Sequence, residues 1–451
     1  MKRTLSLLIV LLLGILPVFC SVSFADEAVT VELSHEWASF DMGETHSAAI
    51  QPEGLGYAWG FNYDGPIGNG STSSSNCPVP YNWGENVAAV SANRKTTAFI
   101  DENGVLYLIG EIWFGTGGSS DMPTPYVYTS PYQLATNVRS VSMGENHLVF
   151  VKNDNTLWVY GENDHGQLGS GNTTNSYTPT QRMTGVAYAV AADNLTVVLK
   201  TDGSVVTSGY NAYGQVGNNS TTDQTTFTQA HTDVFTISAF GDHVMAIKNN
   251  GSLWAWGRND YGQLGNGNTT NQRKAVQVMT GAAQVSAGMY HTGVIKTDGS
   301  LWFAGNNWRG CFGTGSTGGY SEAHSTFTRT AGTYLAVNCG LHSTAVVNPN
   351  GQLSVAGANG YGQLGTGATC ASVPTLTPID VWIFRLDEPP AALLGDTNCD
   401  GVVDFSDAAL LAAYLSGRGQ ISEQGLINAN ANQDSIVSIA DITAIYSIIF
   451  G

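Results

Sequence analysis

The sequence predicts an all-β propeller of seven four-stranded blades, followed by a small all-α unit of paired loop–helix motifs. Three observations predict it. Glycines closing W-G-type dipeptides recur at Gly60, Gly110, Gly161, Gly209, Gly257, Gly305 and Gly357, at spacings of 48 to 52 residues. Each copy contains alternating apolar and polar runs of strand period around a tight-turn signal. The pattern stops at Leu386-Asp387-Glu388-Pro389-Pro390, and two similar twelve-residue acidic segments follow it.

The repeat unit is clearest in its fifth copy. Gly241-Asp242-His243 leads into Val244–Ile247, a turn at Asn249-Asn250-Gly251, and Leu253-Trp254-Ala255-Trp256-Gly257. This reads as a β-hairpin, because Asn-Gly and Asp-Gly supply the positive φ that a two-residue turn needs. Equivalent turns stand at Asn103-Gly104, Asp202-Gly203, Asp298-Gly299 and Asn350-Gly351. A loop such as Asn259-Asp260-Tyr261-Gly262-Gln263-Leu264-Gly265, a polar stretch and a further strand such as Gln284–Ala287 complete about four strands per copy. Seven such units close into a ring that leaves only short sheet edges. Glu27–Phe40 and Leu376–Phe384 are both strand-like, and the expectation is that they share one blade and clasp the ring.

The ends and the charge set the setting. Lys2 and Arg3, the apolar run Leu5–Phe19 and Ser23-Phe24-Ala25 have the anatomy of a secretory signal peptide over residues 1–25, with residue 26 starting the mature chain. The run is shorter than the ~20 residues of a membrane span. An anchor at Cys20 is the competing reading, and bulky Phe19 before it argues against that. The formal net charge is −18, and loss of Lys2 and Arg3 brings the mature chain to −20. With only 17 Lys and Arg, such a chain repels polyanions, so nucleic acid is excluded as an expected partner. Cys77, Cys311, Cys339, Cys370 and Cys399 form no CxxC pair and no disulfide framework, with room for one incidental bridge among the last four.

The C-terminal segments have the spacing of calcium loops. Asp396, Asn398, Asp400, Asp404 and Asp407 occupy positions 1, 3, 5, 9 and 12 of the first, with Val402 offering its carbonyl at position 7 and Gly401 permitting the bend. A hard cation that wants six to eight oxygens is the chemistry this spacing serves. The second loop lies 34 residues on, with Asn430, Asn432, Asp434, Ser438 and Asp441, and Ile436 at the carbonyl position. Asn430 replaces a carboxylate and Ser435 the bend glycine, so the second Ca2+ site is expected to be the weaker. Each loop runs into an amphipathic helix, carrying Leu410, Leu411, Tyr414 and Leu415 in one and Ile442, Ile445, Tyr446 and Ile449 in the other.

These motifs carry two resemblances. Gly166-Gln167-Leu168-Gly169, Gly262-Gln263-Leu264-Gly265 and Gly362-Gln363-Leu364-Gly365, with the D-G and W-G signals before them, resemble the regulator of chromosome condensation repeat over about residues 41–382. The second copy, Gly110-Glu111-Ile112-Trp113-Phe114-Gly115, lacks the Gln-Leu pair. The resemblance implies a seven-bladed propeller. It does not transfer nucleotide exchange on a nuclear GTPase, given the signal peptide. The two loop–helix units resemble a type I dockerin, in which Asp407 at position 12 replaces the usual Glu. That resemblance implies a cohesin on a scaffoldin as partner, read by Phe405, Ser406, Ile439 and Ala440, and secretion into a cellulosome-type complex that degrades polysaccharide. The two pairs differ, which implies one preferred docking orientation. The expected domains are therefore a signal peptide (1–25), the propeller (26–386), a linker (387–394) and the dockerin (395–451).

The propeller itself shows no localised catalytic motif. His46, His147, His243, His291 and His342 recur at one repeat position, which predicts a repeated hydrogen bond within each blade rather than a metal centre. Glu44, Glu145 and Asp242 lie near equivalent strand ends and face a common rim as solvated charge or as an acid–base pair. His165, Tyr213, Tyr261 and Tyr361 precede Gly-Gln in four loops, with Trp308 close to that place in a fifth, which suggests a circle of rings suited to sugar faces. Tyr213, Tyr261, Trp308 and Tyr361 are the candidate stacking residues. Two readings stay open: a non-catalytic propeller that binds polysaccharide or protein, which leads, and a glycoside hydrolase or polysaccharide lyase.

Overall fold

In the computed structural model the structure describes residues 40–383 except 52–53, 82–85 and 113–125, together with the short pairing of Leu8–Ile9 with Val18–Phe19. The chain divides into two units, residues 1–384 and 385–451, and the second lies outside the described residues. Seven four-stranded antiparallel sheets follow one another along the chain, each strand pairing with its sequence neighbour. Blade 1 comprises Phe40–Met42, His46–Ile50, Gly56–Gly60 and Ser75–Pro80; blade 7 comprises Ala336–Cys339, Ser343–Val347, Gln352–Asn359 and Cys370–Trp382. In blade 5 the strands are Val234–Phe240, His243–Lys248, Leu253–Gly257 and Gln272–Met279, as the hairpin reading of its sequence requires.

For its described residues the expected clasp is corrected by this topology. Phe40 opens blade 1 and Leu376–Trp382 ends blade 7, so both of those blades are built from contiguous chain and neither shares a strand with the other. Glu27–Ser39 lies outside the described residues. The ring closes through side chains instead. Met42 N donates to Asn338 Oδ1 (3.0 Å), while Ser47 Oγ and Trp59 Nε1 both donate to Gln363 O (2.7 and 2.9 Å). Phe40, Met42 and Trp59 of blade 1 pack with Leu335, Val355, Leu364 and Ile379 of blade 7 in one buried cluster.

The same devices join the other blades. At one register of the innermost strands, a side-chain oxygen accepts the amide of the next blade: Asp41 from Ala92, Ser91 from Met143, Ser142 from Ala191, Ser238 from Ala287, Ser286 from Cys339, and Asn338 from Met42. Val190 holds this register in blade 4, so the junction of blades 4 and 5 lacks the bond. Because sheets pack face to face only through apolar contact, these directional bonds fix the rotation of one blade on the next.

The histidines act at the same seams. His46, His147, His243 and His291 are fully buried, and their Nε2 atoms lie 2.8–3.0 Å from Oγ1 of Thr97, Thr196, Thr292 and Thr344. The bond therefore links consecutive blades and does not lie within one, which corrects the expectation. Thr97 and Thr292 donate their own hydrogens to Pro66 O and Gln263 O, so His46 and His243 must be the donors, protonated at Nε2. Burial holds these imidazoles neutral, with pKa values lowered to about 4 for His46 and about 3 for the other three. His342 does not belong to this set. Ser343 is the residue paired with Gly357, as His291 is with Gly305, which puts His342 one place earlier on the rim.

Candidate functional site

One asparagine builds the rim loop in six of the seven blades. Asn62, Asn163, Asn211, Asn259, Asn307 and Asn359 are buried two residues after the blade glycine, and each Oδ1 accepts the amide five residues on at 2.8–3.0 Å. Their Nδ2 groups donate to carbonyls of the following polar stretch, as Asn259 does to Asn268 O and Thr270 O. The glutamine of Gly-Gln-Leu-Gly then accepts the amide of the ring-bearing residue: Gln167 from His165, Gln215 from Tyr213, Gln263 from Tyr261 and Gln363 from Tyr361, each at 3.0 Å. These bonds aim the rings. In blade 6, Cys311 stands where the glutamine would be, and Trp308 N donates to Asn306 Oδ1 instead (2.7 Å).

The rings form an arc rather than a closed circle. The arc starts at His165, which meets Tyr210 edge-on with centroids 4.8 Å apart, and Tyr210 meets Tyr213. The guanidinium of Arg258 then lies over Tyr213, Tyr290 and Tyr261 at 4.8, 5.7 and 6.0 Å. Tyr261 contacts Tyr290 and Tyr320; Tyr290 stacks on His342; and Trp308 closes onto both Tyr320 and His342 at 5.3 and 4.5 Å. Three of the four candidate stacking residues, Tyr213, Tyr261 and Trp308, are thus joined through Arg258 and Tyr320. Tyr361 is set apart, edge-on to Phe61 and half exposed. Sequence reading missed Tyr210, Tyr290, His342 and Tyr320. The first three sit directly after the blade glycine or directly before the histidine register, a periodicity that would have found them.

Carboxylates stand among and beside these rings. Glu44 pairs with Arg94 (3.7 Å) and Asp242 with Arg258 (3.4 Å), so these two are rim ion pairs. They are close enough to Asp193, with Glu145, for their negative charges to act on it; burial first, then Asp242, Glu145 and Glu44, push its carboxyl up to about 8. Asp193 was not singled out in the sequence. Burial likewise raises Asp41, Glu44, Glu162 and Asp242 above the usual carboxylate range.

A pocket of about 460 Å³ opens between blades 2 and 3, lined among others by Arg94, Lys95, Glu111, Glu145, Glu162 and Tyr177. Its position has a local cause. Blade 2 carries Ile112 where six other blades carry the loop asparagine, so the third strand runs on through Leu106–Ile112 without the carboxamide knot. Residues 113–125, the departing part of that copy, lie outside the described residues.

The cysteines Cys77, Cys311, Cys339 and Cys370 are free thiols, and Cys399 lies outside the described residues. The same holds for every calcium-loop residue, Asp396, Asn398, Asp400, Val402, Asp404, Asp407, Asn430, Asn432, Asp434, Ile436, Ser438 and Asp441, and for Phe405, Ser406, Ile439 and Ala440. Among the described residues no three His, Cys, Asp or Glu side chains are grouped to hold a metal, and no helix is long and apolar enough to cross a membrane.

Comparison with known proteins decides the two resemblances. The regulator of chromosome condensation (RCC1) repeat model matches residues 154–199 and 250–295, and a second model of the same repeat matches 138–167. The Dockerin type I domain model matches residues 394–449. This chain carries RCC1 repeats in a seven-bladed propeller and a C-terminal type I dockerin.

The RCC1 matches run from the hairpin turn of one blade into the second strand of the next, so the sequence repeat straddles the seam at which the His–Thr bonds lie. Relatives of the propeller include the E3 ubiquitin-protein ligase HERC2 of Homo sapiens (28% identical over 34% of this chain), the ultraviolet-B receptor UVR8 of Arabidopsis thaliana (28% over 31%) and the regulator of chromosome condensation of Mus musculus (29% over 31%). The match spans only 3%, 32% and 34% of those proteins' own lengths. Among solved structures, human WBSCR16 aligns with a TM-score of 0.62 at 18% identity, covering 72% of this chain and 94% of that one. Yeast RCC1 (Prp20) in its complex with Kap60 aligns at 0.58 and 19%, covering 67% and 78%. At these identities the likeness is one of fold.

Proposed function

We propose that this protein is a secreted component of a cellulosome-type complex, whose dockerin docks on a scaffoldin cohesin in a calcium-dependent way and displays the propeller as a non-catalytic binding module. The observation that carries this reading is the dockerin match over residues 394–449, which contain both twelve-residue loops. The donors in those loops are all oxygens, from Asp396, Asn398, Asp400, Asp404 and Asp407 in the first and Asn430, Asn432, Asp434, Ser438 and Asp441 in the second, with the Val402 and Ile436 carbonyls; this set suits Ca2+ and no softer ion. Bound calcium would fix the loop–helix units so that Phe405, Ser406, Ile439 and Ala440 present one surface to the cohesin. The signal-peptide anatomy of residues 1–25 supports an extracellular place.

On the propeller, the aromatic arc supports polysaccharide as the ligand. Rings held at fixed angles by glutamine and asparagine side chains offer preorganised apolar area at low entropic cost, the property that recognition of a sugar face or of a protein surface requires. Hydrolysis or lysis by the propeller is the second reading, favoured only by the elevated carboxyls of Glu162 and Asp193. A native-gel shift of the full chain against a panel of cohesins, with calcium and with chelator, tests the docking, and co-sedimentation with insoluble polysaccharides tests the arc. A shift with no cohesin removes the first claim; sedimentation no better than that of an unrelated acidic protein removes the second.

A further inference from the structure

We propose that the pocket between blades 2 and 3 binds a neutral sugar residue, held by hydroxyl contacts to Glu111, Glu145, Glu162 and Arg94. The inference rests on the carbohydrate-binding reading of the propeller and assigns that ligand a place of its own, apart from the aromatic arc.

The pocket is a built site. Glu111 is 5% exposed, its Oε2 takes a 2.6 Å ion pair from Lys95 Nζ, and its Oε1 is buried without a hydrogen-bond partner among the described residues. Glu162 is hydrogen-bonded by the Asn146 side chain on the same wall, and Glu145 is near enough for its charge to act on Glu162. Arg94, well exposed, and Tyr177 also line the pocket. A volume of about 460 Å³ falls within the ~300–1,000 Å³ of small-molecule sites.

Charge decides the ligand class. Three carboxylates face two cations, and both cations are already engaged, Arg94 with Glu44 and Lys95 with Glu111 and Asp64 (3.4 Å). An anion would meet net repulsion. A metal ion has no suitable ligand group among the described residues. What remains is a ligand whose groups donate and accept at once, because the lining offers carboxylate acceptors on Glu111, Glu145 and Glu162 together with the N–H donors of Arg94. Vicinal hydroxyls on a neutral pyranose have that property, and Tyr177 can cover its apolar face.

The test is calorimetric titration of the full chain with short soluble oligosaccharides of neutral sugars, alongside uronic-acid oligosaccharides. Glu162→Gln and Arg94→Ala are compared with Lys200→Ala, a distant exposed control, and each variant is first checked for an unchanged thermal midpoint. The expected result is binding of at least one neutral oligosaccharide, weakened about tenfold or more by both pocket variants and not by the control. If the pocket variants bind as wild type while Tyr261→Ala loses affinity, the sugar sits on the arc: the pocket assignment falls and the carbohydrate reading stands. If only uronic-acid oligosaccharides bind, the neutral-sugar claim falls. If the wild-type chain binds no soluble or insoluble glycan, the pocket and the carbohydrate reading fall together.

Discussion

Replacing His243 by glutamine isolates what the buried histidines do. Burial lowers the pKa of His46 to about 4 and those of His147, His243 and His291 to about 3, against ~6.5 for an unfolded imidazole. A lowered folded pKa means that the unfolded chain takes up protons first, so stability falls as pH drops below about 6.5 and continues to fall until the folded values are reached. Between pH 7 and pH 5 each histidine costs about 2 kcal/mol, and the four together about 8 kcal/mol. Asp193 acts in the opposite sense. Its folded carboxyl, pushed up to about 8, disfavours folding while the unfolded group is ionised, and about 3 kcal/mol of that penalty is relieved over the same interval. Asp41, Glu44, Glu162 and Asp242, also raised by burial, act in the same sense as Asp193, and His342, lowered to about 4, acts with the other histidines. Glutamine at 243 keeps an N–H that can reach Thr292 Oγ1 and cannot be protonated. Guanidinium unfolding of the full chain, followed by tryptophan fluorescence at pH 7, 6 and 5, should therefore show a pH-dependent loss about 2 kcal/mol smaller in His243→Gln than in wild type. Parallel pH profiles for the two proteins would refute the reasoning, because His243 would then be neither neutral nor buried in the way the seam requires.

Other expectations follow from the same seams and loops. Ser238→Ala leaves the Ala287 amide without its acceptor and should cost about 1–2 kcal/mol, with faster hydrogen exchange confined to Ala287 and its neighbours. Asn259→Ala removes the acceptor of Leu264 N and the donor to Asn268 and Thr270; it should destabilise by about 2–4 kcal/mol and expose residues 259–271 to proteolysis before the rest of the ring opens. Tyr261→Ala breaks the arc at its centre, and should weaken binding to insoluble polysaccharide by roughly tenfold without lowering the thermal midpoint by more than a few degrees.

The repeat was legible because each blade must place a turn glycine, a loop asparagine and a Gln-Leu pair at fixed intervals, and those residues have few substitutes. Gly257 and Asn259 can be read from sequence for that reason. The direction of the histidine bond was not legible, since period alone cannot tell a contact within a blade from one to the next, and the shift of His342 by one residue was visible only through the pairing of Ser343 with Gly357. The arc was half legible. Loop rings such as Tyr213 and Tyr261 share a motif, whereas Tyr290, His342 and Tyr320 become neighbours only when blades 5, 6 and 7 are laid side by side. The pocket was signalled by the departure of the second repeat, where Ile112 stands in for asparagine, but what fills that gap depends on Glu145 and Glu162 from the adjoining blade. The calcium loops rest on residue type and spacing alone.

Calorimetric titration of the full chain with a cohesin panel, in calcium and again in excess chelator, tests the central claim most directly. The account predicts tight one-to-one binding to at least one cohesin in calcium and its loss in chelator, with Asp396→Ala or Asp407→Ala reproducing the loss in calcium. Binding that persists in chelator, or no binding to any cohesin, would contradict it.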